Sequence, residues 1–144
     1  MALVASASGF GDSTATQCTF SINAGSGPNR LLLVGVSLED KTRSVASVSY
    51  GTDVLSFVAS DVNVDGTSGN TAKAEFWRKV APVNGPQTVT VTLNGASKMV
   101  CGGTAWINVD QATPLGAAVP AHGGRCAPLR RQAVRSKPPA PARR

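Results

Sequence analysis

The segment DVNVDG, which spans residues 61–66, places oxygen-bearing side chains at every second position and then a glycine. A calcium loop of the helix–loop–helix type takes ligands from positions 1, 3 and 5 and a bidentate carboxylate from position 12. Asp61, Asn63 and Asp65 supply the first three ligands, but position 12 falls on Ala72. We therefore expect a strand that ends in a turn, with a weak calcium site of another type at these three residues as the alternative, and no other cofactor.

Residues suited to catalysis are few. His122 is the single histidine, and it lies in a C-terminal segment without hydrophobic periodicity, where no scaffold would hold it against a nucleophile. Glu39 and Asp40 are adjacent, so on a strand they would point to opposite faces. Zinc is not expected either, because the chain has one histidine and no paired Cys-x-x-Cys. The sequence predicts that the protein is not an enzyme.

The chain has three cysteines, an odd number. Cys126 lies in the C-terminal segment, where we expect a free thiol. Cys18 and Cys101 both fall on the inward phase of predicted strands, so they could meet as a disulfide between two sheets. Two small buried thiols are the interpretation that we favour, and the disulfide is the alternative.

Two tryptophans are candidates for carbohydrate stacking, because a flat indole face packs on the apolar face of a pyranose. Trp77 shares its strand phase with the charged residues Lys73, Glu75 and Lys79, which predicts an exposed ring. Trp106 lies between apolar neighbours and could also face outward. Packing at the core or at a sheet edge is the alternative for both rings.

Charge divides the 144 residues into two parts. Residues 1–116 carry seven basic and eight acidic residues, for a net charge of −1, whereas residues 117–144 carry seven basic and no acidic residue. The protein's net charge of +6 is therefore a property of its last 28 residues. A basic protein surface for nucleic acid is not indicated, because residues 1–116 are close to neutral.

Residues 117–144 form a basic segment rich in proline, alanine and arginine, with neither period 2 nor period 3.6. Such a composition buries too little apolar surface to offset its ordering entropy, so we expect disorder. It could be a phosphate-binding arm, a linker, or the product of out-of-frame translation. The abrupt change of composition after Gly116 favours the last of these.

Residues 1–116 predict one all-β domain. TQCTFSI and QTVTVTLNG alternate apolar and polar residues, and Leu31–Val36 is an unbroken apolar run that suits a central strand covered on both faces. SVASVSYGTDVLSFVAS predicts a hairpin that turns at residues 51–53. TAKAEFWRKVAP is expected to be extended, and KMVCGGTAWINVDQ is expected to be the last strand, with a bulge at Gly102–Gly103.

Six to eight short strands without an amphipathic helix indicate an antiparallel β-sandwich. The immunoglobulin pattern of cysteine, tryptophan on the central strand, and cysteine is missing. We therefore leave the choice between an immunoglobulin-like and a jelly-roll-like topology open.

Four segments, NRLLLVGVSLED, SVSYGTDVLSFVAS, AEFWRKVAPVNGPQTVTVTLNG and WINVDQATPLG, occur in this order. Together they are similar to a β-sandwich domain that recurs in large secreted and surface proteins of bacteria. The resemblance covers Asn29–Gly116 and implies a non-catalytic module beside other domains. In that family further Val/Thr-rich strands follow the TPLG segment, and here the basic segment 117–144 takes their place.

We therefore expect a non-catalytic structural or adhesive module of a bacterial extracellular or cell-surface protein. Neighbouring domains and glycans are the expected partners. A carbohydrate-binding module using an exposed tryptophan is the alternative, and nucleic-acid binding through residues 117–144 is a second alternative. We expect no membrane span, because no apolar run approaches about 18 residues. No signal peptide is recognised at the N-terminus, which lacks a basic region before its short apolar stretch.

The resemblance also implies that the sandwich is incomplete. If strands beyond Gly116 are missing, the strand at Leu31–Val36 loses a neighbour and an open sheet edge remains. Open backbone donors and acceptors recruit other strands, so we expect self-association.

Deletion of Ala117–Arg144 should leave the far-UV circular dichroism and the melting temperature nearly unchanged, because this segment is expected to bury nothing. A decrease of more than a few degrees would show that the segment packs on the domain.

Overall fold

The computed structural model describes residues 1–64, although not the Val64 side chain, and residues 71–119. These residues form nine strands in two antiparallel sheets, which confirms the predicted all-β sandwich. The strands are β1 (Ala2–Gly11), β2 (Gln17–Asn23), β3 (Leu31–Leu38), β4 (Val45–Tyr50), β5 (Asp53–Val54), β6 (Ser56–Val64), β7 (Thr71–Val80), β8 (Pro86–Leu93) and β9 (Met99–Ile107).

One sheet has the strand order β1-β9-β3-β7-β6, and the other has β2-β8-β4-β5. The chain changes sheet after each of its first three strands, and the last strand lies between the first and the third. This interleaving is that of a jelly roll, whereas in an immunoglobulin domain the first two strands share a sheet. Of the two topologies that the sequence left open, the jelly roll therefore fits.

Strand β3 is paired along its whole length on both sides, with β7 and with β9. The expectation that this strand lacks a neighbour is wrong, because the strand that fills the position comes from residues 99–107. Strand β1, which the sequence analysis did not predict, pairs with the other side of β9.

The predicted strand phases are confirmed in the core between the sheets. The side chains of β2 at Cys18, Phe20 and Ile22 are buried, and so are those of β8 at Val89, Val91 and Leu93. Strand β7 is extended as expected. The inner residues of β3 are Leu32, Val34, Val36 and Leu38, and all are buried.

The outer face of β3 differs from the prediction of a strand covered on both sides. Leu31 is buried, but Leu33 and Gly35 are half-buried and Ser37 is exposed. The unbroken apolar run therefore does not mark two covered faces.

The expected bulge at Gly102–Gly103 is also wrong. Both residues keep continuous register with β1 and β3, and the irregularity in the β1–β9 pairing lies between Leu3 and Ala5. Gly103 points inward, where a Cβ atom would lie 3.1 Å from the Phe20 ring. The glycine at 103 therefore lets β9 approach β2, and Gly102 needs another explanation.

Tyr50, at the end of β4, ties two loops together. Its ring is fully buried, its hydroxyl oxygen accepts a hydrogen bond from Ala24 N at 3.0 Å, and its O–H donates to the carbonyl of Gly85. The predicted turn follows at once, because Gly51 has a φ of 57° and leads into β5. The hydroxyl therefore adds hydrogen bonds to two loops whose Ala24 N and Gly85 carbonyl also pair directly with each other at 3.3 Å.

Aspartate side chains accept the hydrogen bonds that stabilise the turns of three exposed loops. Hydrogen bonds from the Thr14 side chain and backbone hold the pKa of Asp12 below its usual value, and the Thr42 side chain and backbone do the same for the pKa of Asp40. Backbone hydrogen bonds from Thr113 and Ala112 lower the pKa of Asp110. Because the folded-state pKa values are depressed, these turns stabilise the fold at neutral pH and lose that contribution as the pH falls below the usual aspartate range.

Substitution Tyr50→Phe should lower the free energy of unfolding by about 0.5–1.5 kcal/mol, because the hydrogen bonds of the buried hydroxyl to the Ala24 and Gly85 loops are lost while the direct bond between these loops remains. Urea denaturation measures this. The matched control is Thr19→Val on the exposed face of β2, which should stay within about 0.5 kcal/mol. Equal effects of the two substitutions would contradict the role assigned to Tyr50.

Candidate functional site

Cys18 on β2 and Cys101 on β9 are joined by a disulfide across the sandwich, with Cα atoms 6.6 Å apart. Both residues are fully buried. The prediction of two free thiols at these positions is therefore wrong, and the alternative, a disulfide between them, is present. The sequence placed both cysteines inward correctly, but it could not show that β2 and β9 face each other.

This disulfide connects residues 83 positions apart in the sequence. Closing a loop of that length lowers the conformational entropy of the unfolded chain. The folded state is thereby stabilised by about 2–5 kcal/mol. The bond lies near the edge formed by β1 and β2. It attaches β9 of the five-stranded sheet to β2 of the four-stranded sheet.

Of the candidate calcium ligands, Asp61 and Asn63 lie on β6, opposite Ala74 and Ala72 of β7. Asp61 accepts a hydrogen bond from the Val62 backbone N–H at 2.9 Å. Asp65 lies outside the described residues, so the three predicted ligands are not seen together. Within residues 1–64 and 71–119, no three His, Cys, Asp or Glu side chains are grouped as a metal site would require.

Trp77 shares its strand phase with Lys73, Glu75 and Lys79, as expected, but this phase faces the second sheet. The indole packs against the core and meets Phe57 edge to face, with ring centroids 5.5 Å apart. The expectation of an exposed ring at Trp77 is therefore wrong. Within the described part of the chain, its buried Nε1 has no hydrogen-bond partner.

The charged neighbours of Trp77 suggested that the ring is exposed to solvent, but these residues interact with the opposite sheet. Lys73 Nζ lies 2.9 Å from Glu75 Oε1, and the same oxygen accepts a hydrogen bond from Val45 N at the start of β4. Lys79 Nζ lies 3.2 Å from Asp53 Oδ1 on β5. Charge on a strand therefore does not indicate solvent exposure when the opposite sheet supplies partners.

Trp106 lies on the outer face of the five-stranded sheet, between Leu3 of β1 and Leu31 of β3. Its ring is half-buried, and its Nε1 donates to Thr104 Oγ1 at 2.9 Å. The outward direction that the sequence suggested is confirmed, although the ring is only partly accessible.

A row of small residues crosses the same outer face. Ser8 of β1, Gly102 of β9 and Gly35 of β3 are consecutive cross-strand neighbours, and Phe76 of β7 comes next. We name this row, from Ser8 to Gly35, the glycine groove. It lies in an open depression of about 420 Å³ that extends along β3 from Leu33 to Ser37 and along β9 from Val100 to Thr104.

The groove has neutral walls, and the Phe76 ring packs over Gly35, where a Cβ atom would lie 3.3 Å from the ring. The side chains of Cys101 and Val36 point into the core, so at these positions it is their backbone that lines the groove. The hydroxyl-bearing lining residues are Ser8, Ser37 and Thr104, the apolar side chains include Leu33, Ala74 and Val100, and no charged residue among those described lines it. Phe76, which is 54% exposed, closes one end.

On the other side of Phe76, the chain itself covers the sheet. Leu115, Ala118 and Val119 line a second cavity of about 420 Å³ together with the sheet residues Ala59 and Ala74. The segment after β9 therefore lies over the outer face at β6 and β7 and reaches Leu33 of β3, and none of its described residues lines the glycine groove.

Sequence reasoning missed this groove, although part of its signal was present. Strand alternation alone puts Gly102 on the face opposite Cys101, which excludes it from the core. The proximity of Gly35, which is 67 positions earlier, depends on the pairing of β9 with β3 and has no local signature.

The chain matches no protein-family model, no curated protein and no solved structure. Among residues 1–64 and 71–119, no helix is long and apolar enough to cross a membrane.

The disulfide predicts one titratable thiol, from Cys126, when the unreduced protein is denatured, and three after reduction. The double substitution Cys18→Ala/Cys101→Ala should lower the free energy of unfolding by about 2–5 kcal/mol, measured by urea denaturation. Cys126→Ala is the control and should change the stability by less than about 0.5 kcal/mol. Three thiols in the unreduced protein would contradict the bond.

Proposed function

We propose that this protein is a non-catalytic structural or adhesive module of a bacterial extracellular or cell-surface protein. The observation that carries the proposal is the buried disulfide between Cys18 and Cys101. Structural disulfides form and persist in oxidising compartments and are rare in reducing ones. A bond that joins both sheets of the sandwich fits a protein that folds after export.

The positions of the first and last strands support a role beside other domains. Ala2, at the start of β1, is paired with Ile107, at the end of β9. The start of the first strand and the end of the last strand therefore lie at the same end of the sheet. Two connections at one end let a sandwich project from a longer chain. Domain insertion uses this geometry.

The bacterial origin rests on the resemblance of Asn29–Gly116 to a sandwich domain of large secreted and surface proteins. The adhesive role is supported by the exposed outer face, where Phe10, Val100 and Phe76 are each more than half exposed. Contiguous apolar exposure of this kind is typical of surfaces that bind a partner. Neighbouring domains of the same protein and glycans are the partners that we propose.

Production with an export leader should give a folded chain with one titratable thiol. Production in a reducing cytosol should give three thiols and a melting temperature roughly 5–15 °C lower, because the disulfide contribution is absent. Differential scanning fluorimetry together with thiol titration tests this. Equal melting temperatures for the two preparations would contradict folding after export as the basis of the proposal.

A further inference from the structure

Strand β1 is held in its sheet by backbone pairing and by little burial of side chains. It pairs with β9 on both sides of the irregularity between Leu3 and Ala5. Of its ten residues, all of which the structure describes, none is fully buried, and Phe10 is 84% exposed. In β2, by contrast, alternate side chains are buried. Because burial of apolar side chains supplies most of the stability, we expect β1 to detach at a lower cost in free energy than the strands of the core.

The disulfide does not prevent β1 from leaving. Cys18 and Cys101 close a covalent loop that contains the strands β3 to β8, and β1 precedes this loop. Strand β6 forms the other edge of the same sheet, but it lies inside the loop and is paired with β7, which follows it directly. Of the two edge strands, β1 is therefore the one that can separate from the oxidised domain without carrying other strands with it.

An exposed turn at residues 12–14 connects β1 to the rest of the domain. The Asp12 side chain accepts hydrogen bonds from the backbone N–H and the hydroxyl of Thr14, at 3.0 and 2.8 Å. The next residue, Ala15, is fixed to the domain, because its carbonyl accepts a hydrogen bond from Ser97 N at 3.1 Å. Opening of this turn would therefore release β1 and leave β2 in place.

The position of β1 beside β9 accepts only a strand of unusual composition. Ala5 and Ala7 pack against the core, and a Cβ atom at Gly9 would lie 2.5 Å from the carbonyl oxygen of Thr19 on β2. A strand in this position must therefore have glycine at this register and small residues two and four positions earlier. Strand β1 itself meets the requirement, so a second copy of the chain supplies a matching strand.

We propose that β1 exchanges between two copies of this chain, so that β1 of each copy pairs with β9 of the other. The exchanged strand makes the same hydrogen bonds and contacts as in the single chain, and only the turn at residues 12–14 changes, which keeps the cost of such a swap low. The inference deepens the adhesive role proposed above, on which it rests, by naming a second copy as the partner. It differs from pairing at an open sheet edge, because the exchanged strand already has a partner in the single chain.

Crosslinking between two differently substituted full-length chains tests the exchange. Phe10 and Val100 are directly opposite in the β1–β9 register, and both are exposed. Chains with Phe10→Cys are mixed with tagged chains with Val100→Cys, both in the Cys126→Ala background and with the disulfide oxidised. The mixture is incubated at high concentration just below the melting temperature, and bismaleimidoethane is then added.

Strand exchange should give a crosslinked heterodimer at least about fivefold above a control mixture. In the control, Val54→Cys replaces Val100→Cys, because Val54 is 67% exposed on β5 of the other sheet. A heterodimer yield at the control level would overturn the proposal. Predominant crosslinking between two Phe10→Cys chains would also overturn it, because that product indicates pairing of two β1 edges.

A second experiment tests the turn as the hinge. Asp12→Ala removes the acceptor that closes the turn and should increase the rate of heterodimer formation at least about fivefold. Asp40→Ala is the matched control, because Asp40 accepts the same two hydrogen bonds from Thr42 in a loop that carries no exchanging strand. It should change the rate by less than about twofold. Equal effects of the two substitutions would overturn exchange through this turn.

The outcome of these experiments is separate from that of the proposed export. A mixture without heterodimer leaves the export proposal in place, because thiol titration and the melting temperatures of the two preparations test it independently.

Discussion

The insertion of β9 between β1 and β3 is the constraint on which the rest of the structure depends. It completes the five-stranded sheet and gives the long apolar strand β3 a partner on each side. Because side chains alternate along β9, the same register sends Cys101 inward to Cys18 and Gly102 outward beside Gly35. A slip of one residue would turn the cysteine to solvent and place the groove in the core. The disulfide and the outer groove are therefore two consequences of one pairing.

Different interactions hold the two sheets together at opposite edges of the sandwich. Near β1 and β2, the disulfide and small residues dominate, and Gly103 permits contact with the Phe20 ring. Near β7 and β5, the Lys79–Asp53 ion pair bridges the sheets, and Glu75, which pairs with Lys73 on its own strand, accepts a hydrogen bond from the start of β4. A buried ion pair contributes little net stability, yet removal of one partner leaves a costly charge. These pairs therefore fix how the sheets are aligned more than they add to stability.

Local patterns predicted the strands well wherever apolar and polar residues alternate, as in β2 and β8. They failed for β1, whose sequence ALVASASGFG contains small residues that resemble a loop. They also failed where a residue's environment comes from the other sheet, since the charges around Trp77 suggested exposure and instead bridge to β4 and β5. The jelly-roll order, the disulfide and the pairing of Gly35 with Gly102 are contacts between distant parts of the chain. No local pattern encodes such contacts.

The register of β9 is tested most directly by interstrand nuclear Overhauser effects in the oxidised full chain. The structure predicts contacts that place Gly102 opposite both Gly35 and Ser8, and Gly103 opposite Val34. Contacts that place Gly103 opposite Gly35 would contradict it, because Cys101 would then leave the core and the outer groove would not exist.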